Sequence, residues 1–174
     1  MTPPAARITF DEIRGMDRER FVATFGKVFE RSPWVVERSY AARPFATLAA
    51  LHQAMVEAVS VAGLHAQLAL IRAHPDLADG AGIAALTRDS RDEQASAGLD
   101  ECSPAEFERF HRLNRAYRDR FGFPFILAVR NSSRTAILRA FEERLESDRE
   151  AEFARALGEI GKIAYFRLDE MVEQ

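Results

Sequence analysis

The sequence predicts an all-α fold, a single-domain bundle of eight or nine helices. Three observations carry that prediction. Apolar residues recur at helical spacing through most of the chain. Helix-starting signals, in which Ser, Thr or Asp precedes Pro or Glu, punctuate it at intervals. One stretch alone, 122–129, has strand-like composition, and a lone strand has nothing to pair with. With 174 residues, 47% of them apolar, the chain is long enough to bury a core and too apolar to be disordered as a whole.

Taken in order, residues 1–8 read as a frayed tail, leaving 9–174 as the helical domain. Thr9 and Asp11 offer caps, and Phe21, Val22, Phe25, Val28 and Phe29 recur at helical spacing, predicting a helix over 18–30. Ser32-Pro33 reads as an N-cap followed by Pro at the first helical position, so a short helix over 34–40 follows, with Trp34 in the core or at an interface. Pro44 is expected to open a third helix over 45–61, with Leu48, Leu51, Met55 and Val59 inward, and Gly63 to break it. A fourth helix, 64–73, then ends at His74-Pro75, because Pro lacks an amide proton and disfavours helical backbone in the residue before it. His74 is thereby placed at a helix terminus, where an imidazole can face a cavity.

The segment 79–85 reads as a loop or flexible cover. Ser90 is the expected N-cap of a helix over 90–97, with Glu93 in capping-box spacing and Gly98 as the C-terminal stop. Ser103-Pro104-Ala105-Glu106 repeats the box and launches 107–121, carrying Phe110, Leu113, Tyr117 and Phe121. The segment 122–129 reads as buried and irregular, its amides available to a ligand because Pro124 interrupts the hydrogen-bond pattern. Helices over 134–146 and 149–171 complete the chain, the second opened by Ser147-Asp148.

The net charge of −3 and the absence of a basic stripe exclude a nucleic-acid binder, since phosphate contacts need concentrated positive charge. No apolar run has the length of a membrane span, and the N-terminus has no signal-peptide core, so the setting expected is the cytoplasm. Cys102 is alone and can form neither a disulfide framework nor a cysteine metal site within the chain. The four histidines fall in no metal-ligand motif.

Several polar residues each carry two readings. His74 is a structural helix-end residue or an acid; Glu93 is a cap member or a functional carboxylate; Gln94 alone reads as a surface amide. Arg167 falls inside the apolar stripe of the last helix, about 40° from its centre at 100° per residue. An inward guanidinium needs an anion, either in a buried salt bridge, with Glu93 or Asp76 as candidate partners, or in a substrate. Arg112, Arg115, Arg118 and Arg120 read as a solvated helix face.

The ordered set HPDLA (from His74), SxxEQxxAGLD (from Ser90), LNRAYR (from Leu113) and RFGFPFI (from Arg120) resembles the family of 2-oxo-4-hydroxy-4-carboxy-5-ureidoimidazoline (OHCU) decarboxylases of urate degradation. The similarity runs from Phe29-Glu30-Arg31-Ser32-Pro33-Trp34 to Arg167-Leu168 and covers nearly the whole chain. It implies decarboxylation of OHCU to (S)-allantoin and CO₂ without a cofactor, the substrate's own C=N unit accepting the electrons that CO₂ leaves behind. It implies His74 as proton donor, with Glu93 and Arg167 as its catalytic companions. Pro75, Ser90, Glu93, Gln94 and the segment Phe125, Ile126, Leu127, Ala128 and Val129 would bind the small-molecule ureidoimidazoline. It also implies a homodimer, for which the apolar Trp34 or Phe166 are interface candidates, while motifs, charge and hydropathy lead us to expect no metal, no nucleic acid and no membrane. Two other readings stand beside it: a non-enzymatic helical module that binds a partner, and a hydrolase of a related ureido compound in which His74 and Glu93 activate water.

Overall fold

The computed structural model describes residues 7–79 and 86–173. The expected tail over 1–8 and the cover over 79–85 fall largely outside them. Among the described residues there are nine α-helices and no strand: α1 (Phe10–Gly15), α2 (Arg18–Phe25), α3 (Trp34–Ser39), α4 (Leu48–Ser60), α5 (Leu64–Arg72), α6 (Arg88–Ser96), α7 (Pro104–Phe121), α8 (Arg134–Leu145) and α9 (Arg149–Met171). No single helix among them is long and apolar enough to cross a membrane. The contacts divide the chain into two compact units, Met1–Leu70 with Gly161–Gln174, and Ile71–Ile160.

In the first unit the N-terminal signals resolve into one helix more than their spacing suggests. Thr9 and Glu12 cap each other reciprocally and start α1, and Asp17 accepts the Arg20 amide to start α2. The helix expected over 18–30 therefore ends at Phe25, and Val28 and Phe29 are buried from the turn that follows. Pro44 does not open the next helix. It lies in the turn ahead of α4, whose N-cap is Thr47, accepting the Ala50 amide at 3.1 Å. Phe21 is the centre of the aromatic core here, 5.1 Å from Phe25 and 5.9 Å from Phe45, ring centre to centre. Ile8 pairs with the chain's last turn, its amide donating to Met171 and its carbonyl accepting from Glu173.

The second unit packs α7 against α8. α7 is fixed at both ends, by the Ser103/Glu106 capping box and by Gly122, whose φ of +79° is the left-handed conformation that terminates a helix. Arg72 donates two hydrogen bonds to the Gly122 carbonyl. Residues 122–129 then run without regular structure through an aromatic cluster in which the Phe125 and Phe141 rings stack at 3.8 Å. Ser133 caps α8, its hydroxyl accepting the Ala136 amide, and Asp148 precedes α9, its carboxylate accepting the Ala151 amide.

Candidate active site

α5 ends at Arg72, and His74 follows two residues later with its amide donating to the Ile71 carbonyl. Its imidazole is 6% exposed and Nε2 is shielded from solvent. The half-buried Pro75 blocks any further helical turn, and the chain passes through Asp76 and Leu77 to Ala78, which takes a left-handed φ of +52°. Such a backbone costs a non-glycine residue about 1–2 kcal/mol, so its surroundings must hold it in place.

They do so with three side chains. Gln94 accepts the Ala78 amide at 3.0 Å and donates to the Asp76 carbonyl at 3.2 Å. Asn114 donates to the Leu77 carbonyl at 2.8 Å. Arg118 Nε lies 3.0 Å from both carboxylate oxygens of Asp76. Gln94 is thus a buried clamp on the histidine turn rather than a surface amide, and Arg118 is not a merely solvated arginine.

The N-cap of α6 is Thr87, which accepts the Ser90 amide, and not Ser90 itself. Thr87 has the extended backbone an N-cap needs, so the helix starts a turn early and the Ser90/Glu93 capping box does not form. Ser90 and Gln94 instead become consecutive buried positions on one face of α6, with the half-buried Glu93 beside them. The residues that follow His74, Asp76 to Ala78, are therefore tied by hydrogen bonds to α6 and α7, and Ser90 and Glu93 share the helix that supplies Gln94.

In the segment 125–129, Phe125, Ile126 and Val129 are buried, and Leu127 and Ala128 are half-buried. Its backbone is not all available to a ligand. The Ala128 amide donates to the Glu159 carboxylate at 2.8 Å, and the Ile126 carbonyl accepts from Arg144 at 2.7 Å. Arg144 also lies over the Phe125 ring at 4.3 Å and pairs with Glu152 at 2.9 Å, and Glu152 in turn accepts a hydrogen bond from the Tyr117 hydroxyl. Burial, then that bond to Glu152, pushes the Tyr117 hydroxyl well above its usual pKa, so it stays a donor.

Arg167 is buried, 7% exposed, as its place in the stripe predicts. It belongs to the first unit, where it meets Glu30 at 3.4 Å and donates to the Val28 carbonyl at 3.2 Å. Within this unit the carboxylate it meets is that of Glu30. Reasoning from the sequence missed Asn114, Arg144, Glu152 and Glu159, although each sits at inward spacing on its helix. Among the described residues no group of His, Cys, Asp or Glu is placed to hold a metal ion.

A family model described as OHCU decarboxylase matches residues 14–169. The chain is 46% identical over 165 residues to the 2-oxo-4-hydroxy-4-carboxy-5-ureidoimidazoline decarboxylase of Halalkalicoccus jeotgali, covering 95% of this chain and 92% of that protein. It is 44% identical over 166 residues to the uric acid degradation bifunctional protein PucL of Bacillus subtilis, covering 95% of this chain and 33% of the relative. A crystal structure of (S)-allantoin synthase superposes with a TM-score of 0.74 at 32% identity, over 95% of this chain and 54% of that one.

Proposed function

Because the chain belongs to the OHCU decarboxylase family, we propose that it converts 2-oxo-4-hydroxy-4-carboxy-5-ureidoimidazoline to (S)-allantoin and CO₂ in urate degradation. The chemistry requires an acid more than an electron sink. Cleavage of the C–COO⁻ bond leaves an electron pair that forms a C=C bond to the neighbouring ureido-bearing carbon, and the displaced C=N pair goes to nitrogen, which takes a proton. The resulting enol then loses its hydroxyl proton as the ureido-bearing carbon gains one, which creates the stereocentre. Overall one proton is consumed per CO₂ released.

His74 delivers the proton that sets the stereocentre, and Glu93 orients the imidazole or the substrate hydroxyl. Gln94 contributes by holding the backbone that carries His74. The observation that supports this division most directly is the buried imidazole itself, set on a turn whose residues 76–78 are gripped from α6 and α7. A group so enclosed is screened from bulk proton exchange and presents one face, which an enantioselective protonation needs. Incubating the protein with freshly generated OHCU is expected to give (S)-allantoin faster than the spontaneous reaction. Racemic allantoin at the spontaneous rate would overturn the assignment.

The chain is further proposed to act as a homodimer. Val61 and Leu64, 70% and 67% exposed at the turn between α4 and α5, offer apolar surface for a second copy. Light scattering should then return twice the 19.6 kDa chain mass, and a monomer at micromolar concentration would refute it.

A further inference from the structure

We propose that Asn114 is a positioning residue for this reaction, acting through the His74 turn rather than on substrate. The inference rests on His74 being the acid. Residues 75–78 belong to no helix, and Ala78 holds a left-handed conformation, so side chains from elsewhere must fix them. The carbonyls of Asp76 and Leu77 and the amide of Ala78 are three such points of attachment, and Gln94 takes the first and third. The middle one belongs to Asn114, at 2.8 Å. Arg118, one turn further along the same helix, adds the Asp76 carboxylate. α7 is capped at both ends, so it offers the turn a rigid reference.

The chemistry at Asn114 separates positioning from stability. The side chain is 5% exposed, and its Oδ1 is buried with no hydrogen bond. A buried acceptor left in that state is unfavourable, and a leucine of similar volume would remove it. Leucine would also leave the buried Leu77 carbonyl without its donor, so the two stability effects oppose each other, and the amide's distinctive contribution is the bond its nitrogen gives to Leu77. Without that bond the turn loses its central attachment three residues after His74. A displacement of about 1 Å at a reacting group costs on the order of 100-fold in rate.

The test is a double-mutant cycle on the intact protein with freshly generated OHCU. Asn114→Leu is expected to lower kcat by about tenfold or more with KM within about threefold of wild type. Adding it to His74→Asn should change the residual rate less than about twofold, because the group it positions is gone. A purely structural role would lower both backgrounds by the same factor, and that result would overturn the proposal. So would an Asn114→Leu enzyme with unchanged kcat. Should Asn114→Leu fail to fold, Arg118→Met carries the same cycle from the surface, with kcat expected to fall by about threefold or more in the wild-type background only. If His74→Asn turns over like wild type, the acid assignment fails and takes this proposal with it. A slow His74→Asn beside a fully active Asn114→Leu defeats the positioning role alone.

Discussion

His74→Asn is expected to slow enantioselective formation of (S)-allantoin by about 10²- to 10⁴-fold, the contribution a positioned general acid makes. The carboxamide occupies the space nearest the backbone that the imidazole fills but carries no transferable proton at neutral pH. Folding should survive, because the turn is held by the Gln94, Asn114 and Arg118 bonds to residues 76–78, none of which uses the imidazole. Melting temperature and product chirality should therefore part company, the first little changed and the second decaying toward the racemate of the spontaneous reaction. Polarimetry on freshly generated substrate reads both the rate and the handedness. Turnover at the wild-type rate would remove His74 from the mechanism.

Arg144→Met is expected to be the most damaging substitution outside the histidine turn. It takes the 2.9 Å guanidinium partner from the fully buried Glu152, leaving it the more exposed Arg155 at 3.6 Å and the Tyr117 hydroxyl, and it removes the donor from the Ile126 carbonyl. Breaking one side of a buried ion pair costs about 3–5 kcal/mol, because the remaining charge keeps its desolvation penalty. At 2–4 °C per kcal/mol for a chain of this size, the melting temperature should fall by roughly 6–20 °C. The double variant Arg144→Met/Glu152→Leu should recover a substantial part of that loss, since it removes the stranded charge as well. Denaturant titration of the four proteins measures the cycle. A single-variant loss below about 1 kcal/mol would show that the network stabilises little.

Much of this architecture was legible from residue spacing, and the misses have physical causes. Arg167 is recognisable as inward because Ile160, Ala164 and Leu168 define the stripe it interrupts. The same criterion applied to Ile137, Phe141 and Arg144 identifies the other deeply buried arginine, and applied to Phe110, Asn114 and Tyr117 it identifies the positioning amide. Both were within reach of periodicity and escaped because charged and amide side chains are read as surface by default. The partners were not within reach. Nothing local joins Glu159 to the Ala128 amide across 31 residues, or Arg167 to Glu30 across 137. The start of α6 was ambiguous for a different reason: Thr87 and Ser90 both have N-cap chemistry, and only the burial of Ser90 on the helix face decides between them. The left-handed Ala78 leaves no trace in composition, since a glycine would be the expected occupant.

Among the described residues the two deeply buried cations, Arg144 and Arg167, are both guanidinium groups, in a chain whose only lysines are Lys27 and Lys162. A buried ammonium can surrender its proton in mild alkali and strand the carboxylate it faces, whereas guanidinium keeps its charge beyond any pH at which proteins are handled. Alkaline media therefore have no route to neutralise either pair through its cation.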